Sequence, residues 1–129
     1  MTDPARMVVW LRDTMDAAQA DAEAAGGDDW RRQNYPSDTV AIFDSKGEPV
    51  VYDEGSPTEE QQTHIVRHGP AAVLRQIDRH RKLLDLHENV DGKCDECGRG
   101  YELSDWGPDF PCATVHLLAE GWGWTEETT

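Results

Sequence analysis

Apolar runs are short throughout this sequence, and none approaches the ~20 residues that a membrane-crossing helix needs. Basic residues are scarce: 12 Lys and Arg stand against 26 Asp and Glu, for a net charge of −14. That deficit disfavours binding to DNA or to an anionic membrane through general electrostatics, because phosphate affinity comes largely from counterion release by Lys and Arg. Apolar residues make up only 37% of the 129-residue chain, so the core is thin and one extra staple would help it. The N-terminus lacks a basic-then-apolar signal pattern, and the chain reads as cytosolic. Also missing are the G-x-S-x-G, phosphate-loop and dinucleotide glycine motifs. The expectation is therefore a protein that is not an enzyme.

The charge is unevenly spread. Residues 1–60 hold 14 acids and 5 bases, residues 61–90 hold 3 and 5, and residues 91–129 hold 9 and 2, giving −9, +2 and −7. The plain reading of so much acid is solubility. A sharper reading is an acidic nucleic-acid mimic that inhibits a host DNA- or RNA-binding protein.

One domain is expected over residues 1–129, with an N-terminal helix at 1–27, a hairpin at 37–53, a helical and zinc-binding part at 56–120 and a tail at 121–129. In the first segment Thr2 or Asp3 can cap, Pro4 suits the first turn, and Gly26-Gly27 stops the helix. Val8, Leu11, Met15, Ala18, Ala22 and Ala25 recur at spacings of three and four, a narrow seam for the core or for weak self-association. "TVAIFDSKGEPVVYDEG" reads as two short strands about an Asp44–Gly47 turn, with room for a third strand near residues 28–36. Ser56 and Pro57 then open a helix that Gly69-Pro70 breaks, and a second helix runs from about Pro70 to Glu88. The expected core comprises Trp10, Val40, Ile42, Val50, Ile65, Val73, Leu74, Ile77, Leu84, Val115 and Leu118, whereas Trp122 and Trp124 are expected at the surface. The fold class is α+β: helix, hairpin, two consecutive helices, zinc knuckle and a short final helix.

All three cysteines lie between residues 94 and 112. Cys94 and Cys97 form C-x-x-C with Gly98 next, a spacing at which two thiolates close on one ion. Cys112 follows after Pro111 and leads into "ATVHLLAE". Thiolates select zinc over magnesium or calcium, with iron as the competitor. A tetrahedral site needs a fourth ligand. His87, at the end of the long helix, is favoured because it ties a further segment to the staple; His116, four residues after Cys112, is the alternative. A disulfide would leave one thiol over, and three thiolates beside a fourth ligand suit a structural ion better than a catalytic one. "HE" at 87–88 shares residue types with zinc deaminases but not their spacing. His64 and His68 stand at the i, i+4 spacing of a helical metal pair without the glutamate of the zincin motif, and read as surface or capping histidines. A zinc-dependent hydrolase remains the enzymatic alternative.

"VVYDEGSPTEEQQTHIVRHGPAAVLRQIDRHRKLLDLH", followed by "CDEC" and "FPCATVHLLA", resembles an uncharacterised family of small actinobacterial and actinophage proteins, domain-of-unknown-function family 6221. A fainter similarity runs to small phage accessory proteins with a hairpin and a following helix. The resemblance implies His87, Cys94, Cys97 and Cys112 as the conserved-pattern positions, and it departs at Gly69, where an acid is expected. What it implies is a layout and a phage or actinobacterial setting, not a function. Taken with the residue reading above, the expectation is a small non-enzymatic Zn2+-binding accessory protein of that origin. Such a protein would act by protein–protein interaction on an unknown host or phage partner, as a monomer or weak homodimer.

Overall fold

The computed structural model describes residues 3–34, 40–52, 57–98 and 109–127. They form a mixed α+β architecture of four helices and two small antiparallel sheets. Helix α1 spans Pro4–Ala24, α2 Glu59–Arg67, α3 Pro70–Leu86 and α4 Ala113–Gly121. Strands β1 (Arg31–Asn34), β2 (Val40–Phe43) and β3 (Pro49–Val51) make one sheet; β4 (Asn89–Val90) and β5 (Lys93–Cys94) make the other. The third strand anticipated near residues 28–36 is β1, antiparallel to β2 with Arg31 opposite Phe43. The chain forms two compact units: Ala18–Gln76, and Met1–Ala17 with Ile77–Thr129.

In Ala18–Gln76, α1 ends where Gly26 and Gly27 take φ of +112° and +71°, and the Gly27 N–H returns to the Ala22 carbonyl at 2.9 Å. This is the left-handed helix ending that glycine permits and a Cβ penalises. The β2–β3 turn is held by Asp44, whose Oδ1 accepts from the backbone N–H of Lys46 and Glu48, each at 2.9 Å. Helix α2 starts on a reciprocal cap: Thr58 Oγ1 accepts from the Gln61 N–H at 3.2 Å, and Gln61 Oε1 accepts from the Thr58 N–H at 2.7 Å. Thr58 is thus the N-cap of α2, and Ser56, the expected cap, lies outside the described residues. Ala22, Ala41, Ile42, Phe43 and Gln62 are buried. Gln62 is tolerated there because Oε1 accepts from Arg32 Nε at 3.0 Å and Nε2 donates to the Pro57 carbonyl at 3.2 Å. Arg32 adds a bond to Glu59 at 3.3 Å, fixing α2 on the sheet. A Cβ at Gly69 would lie 3.3 Å from the Val66 carbonyl oxygen and 3.5 Å from Trp30 Cβ, so the α2–α3 junction accepts a larger residue only by shifting.

In the other unit Met7, Leu11, Met15, Ile77, Leu84, Val115, Ala119 and Trp124 are buried. Each large apolar side chain so buried contributes roughly 1.5–3 kcal/mol of transfer free energy. Asp3 caps α1 through a 3.0 Å bond from the Ala5 N–H. The α1 seam is shifted from the expected one: Met7 is buried where Val8 is half-buried, and Ala25 is exposed beyond the helix end. Trp124 is 6% exposed rather than a surface tryptophan, and its ring meets Trp10 edge-on with centroids 5.4 Å apart. Trp122 is half-buried, with Nε1 donating to His80 Nδ1 at 2.8 Å. Val50, expected in the core, is 39% exposed, because it lies on the outer face of an edge strand. Trp10, Ile65, Val73, Leu74 and Leu118 are half-buried, and the side chain of Val40 lies outside the described residues.

Candidate metal centre

The site is assembled from three places in one unit. His87 directly follows α3, its N–H bonded to the Leu84 carbonyl at 3.1 Å. Next comes the β4–β5 hairpin, with Asn89 opposite Cys94 and Val90 opposite Lys93. Its two central residues, Asp91 and Gly92, have φ of +53° and +83°, the paired positive values of the tightest hairpin turn. Asn89 Oδ1 accepts from the Gly92 N–H at 2.8 Å and braces that turn. The hairpin places Cys94 beside His87. The C-x-x-C turn then closes with the Gly98 N–H bonded to the Cys94 carbonyl at 2.9 Å, so glycine here serves the backbone rather than a sulfur.

Cys112 arrives from the other side of the segment at 99–108, which lies outside the described residues. Phe110 N–H bonds the Gly92 carbonyl at 2.9 Å, and Lys93 pairs with Asp109 through both backbone bridge and side chains. These contacts anchor the returning chain on the hairpin and bring Cys112 to the first residue before α4.

His87 Nδ1 lies 3.2 Å from Cys94 Sγ, 3.6 Å from Cys97 Sγ and 3.4 Å from Cys112 Sγ. The four ligand atoms all lie within 4.8 Å of one another. An ion with bonds of ~2.3 Å to sulfur and ~2.0–2.1 Å to nitrogen, at tetrahedral angles, separates N from S by roughly 3.6 Å. The spacing of the donors matches that requirement, and one nitrogen nearly equidistant from three sulfurs is what a shared ion asks for. Cys94 is 1% exposed, Cys112 3% and His87 8%, with Cys97 half-buried. All three thiols are free.

Electrostatics favour a cation in the same place. Desolvation, reinforced by the sulfurs of Cys94 and Cys112, pushes the Cys97 thiol up to about 12. Three thiolates this close repel one another, and a divalent ion relieves that. Cys112 is driven the other way. Desolvation by burial raises it, but the backbone N–H groups of Val115 and Thr114 and the neighbouring thiols outweigh burial and hold it below the usual thiol value. No full capping hydrogen bond forms to the sulfur, yet the positive end of α4 still favours its charged form.

His116 does not join the group. Its Nδ1 lies 2.8 Å from Glu120 Oε1, one turn along α4, on the half-buried outer side. His64 and His68 lie on the exposed side of α2, in the other unit. Among the described residues, no further group of three or more His, Cys, Asp or Glu ligand atoms converges in this way. The part of the site that the sequence reading missed is the β4–β5 hairpin. Its signal was present as Val90-Asp91-Gly92-Lys93, an Asp-Gly pair between two strand residues.

The fold and site together define a small α+β protein with a Cys3His cluster able to hold a metal ion. The chain belongs to a family described as "Family of unknown function (DUF6221)", whose model matches residues 4–123. No curated protein and no solved structure matches the chain.

Proposed function

We propose that this chain is a small non-enzymatic accessory protein in which Zn2+, held by His87, Cys94, Cys97 and Cys112, stabilises a scaffold for protein–protein contact. The observation that carries the metal reading is the placement of one imidazole nitrogen 3.2–3.6 Å from three sulfurs. Four protein ligands close a tetrahedral shell, and three of them are soft thiolates, the donor set of structural zinc rather than of an open catalytic site. Zinc there would tie the end of α3, the hairpin and the start of α4 into one piece. The contact reading is supported by an apolar cleft of about 340 Å³ lined by Ala5, Val8, Val9, Leu84 and Phe110, with Arg12 and Glu88 also lining it. Val9 is 58% exposed, and an exposed large apolar side chain beside such a cleft suits a protein partner.

Elemental analysis of protein purified without chelator tests the metal, with one zinc per chain expected. X-ray absorption then reads the shell: three sulfurs and one nitrogen support the scaffold, and a bound water with fewer protein ligands would redirect attention to chemistry. Capture of a partner that is lost on Val9→Glu, while zinc content is retained, tests the contact face.

A further inference from the structure

We infer that His64 and His68 form a second, surface site that chelates a borderline divalent transition-metal ion such as Ni2+, Zn2+ or Cu2+. His64 lies in the last turn of α2 and His68, four residues on, is its C-cap, so the two side chains come side by side at the helix end. Their ring centroids are 4.5 Å apart and the planes are inclined at 50°. Both side chains are exposed. Among the described residues neither imidazole has a hydrogen-bond or ion-pair partner; the ending of α2 is capped instead by the His68 backbone N–H, which reaches the His64 and Ile65 carbonyls at 3.2 Å. A purely capping role would have engaged the His68 ring, and it does not.

The backbone carrying the pair is already fixed. The Thr58–Gln61 cap holds one end of α2, and Arg32 holds the helix through Gln62 and Glu59. Binding then requires side-chain rotation alone, which keeps the ordering cost low. Imidazole suits zinc, copper and nickel, and two histidines at i, i+4 are the helical half of many zinc sites. The two imidazoles are the ligands the protein supplies, with water filling the remaining positions. The site is therefore open, a place for metal capture or for an ion shared with a partner's side chain. It is independent of the Cys3His centre.

The test uses zinc-loaded full-length protein titrated with Ni2+ by calorimetry, with released zinc followed by a colorimetric chelator. Wild-type protein should take up one Ni2+ per chain without releasing zinc. His64→Asn and His68→Asn should each weaken that binding by about tenfold or more, while His116→Asn leaves it unchanged. Both positions are exposed, and circular dichroism confirms that the variants retain their helix. Absence of Ni2+ uptake, uptake only in exchange for zinc, or uptake that survives both substitutions would each overturn the proposal.

Discussion

Replacing Cys112 with serine separates ligation from every other job this residue has. Cys112 is 3% exposed, sits against His87 at 3.4 Å and occupies the N-cap of α4. Serine is close in size and is among the best N-cap residues, so its hydroxyl can accept from the helix N–H groups that the sulfur faces. Apart from the metal, Cys112→Ser should therefore be neutral or slightly stabilising. With the metal it should be severe. Structural zinc in small peptides binds with apparent free energies on the order of 10–16 kcal/mol, comparable with the entire ~5–15 kcal/mol stability of a domain. Loss of even ~3 kcal/mol would lower Tm by roughly 10 °C or more in a chain of this size.

The assay is thermal unfolding of wild type, Cys112→Ser and His116→Ala, each in zinc-replete and in chelating buffer. In zinc, Cys112→Ser should unfold at least about 10 °C below wild type. His116→Ala removes only a partly exposed pair with Glu120, worth ~0.5 kcal/mol or less, and should shift Tm very little. In chelator the wild-type and Cys112→Ser curves should converge, because the difference between them was the ion. Equal Tm values for Cys112→Ser and wild type in zinc, or a gap that persists unchanged in chelator, would refute the reasoning.

Other perturbations read the rest of the fold. Met15→Ala, at a fully buried position, should cost ~2–5 kcal/mol in urea unfolding, whereas Val50→Ala at an exposed edge position should cost under ~1 kcal/mol. Gln62→Ala strips hydrogen bonds from Arg32 and the Pro57 carbonyl at a site 2% exposed, and should cost ~1–3 kcal/mol by the same measurement. Desolvation holds His80 below the ordinary histidine value near 6.5. Its Nδ1 accepts from Trp122, and protonation there would remove that acceptor. The unfolded chain therefore binds the proton first; this contribution is present above the unfolded value and lost as pH falls below it. His80→Gln should flatten the decline in stability on acidification relative to wild type, and identical pH profiles would contradict the assignment.

Local chemistry was the legible part of the sequence. Gly26-Gly27, Asp44–Gly47 and Gly69-Pro70 mark the ends and turns the structure shows, because glycine's left-handed freedom and proline's fixed φ act within a few residues. The misreadings needed knowledge of distant partners. Val8 and Met7 are equally plausible inward positions on a helix whose seam is one residue wide, and what packs against them decides. Val50 has the strand-forming character of Val51, but successive residues of a strand point to opposite faces, and a run of three does not say which face is covered; Val50 lies on the exposed one. Trp124 looked like an exposed tail residue until Trp10, more than a hundred positions away, supplied an edge to pack on.

The Cys3His cluster was legible for a different reason. Cysteine is rare here and three thiols are costly to leave crowded together with two of them buried, so their clustering between residues 94 and 112 constrains the chain in a way that alanine or valine cannot. The same economy bears on His87 and His116: His116 shares a helix with Cys112 and its ring pairs with Glu120, whereas the Nδ1 of His87 lies within 3.6 Å of all three sulfurs. Charge follows the opposite logic. Three of the five bases of the +2 middle segment are paired: Arg81 and Arg75 with Asp16 and Asp29 from the acidic N-terminal segment, and Lys82 with Asp78 on its own helix. Pairing takes up part of the scarce sign and leaves the abundant one in excess. Under the contact role proposed above, a partner would meet surplus carboxylate, and specificity would come from features that carboxylates lack: the apolar cleft lined by His87 and the imidazoles of His64 and His68.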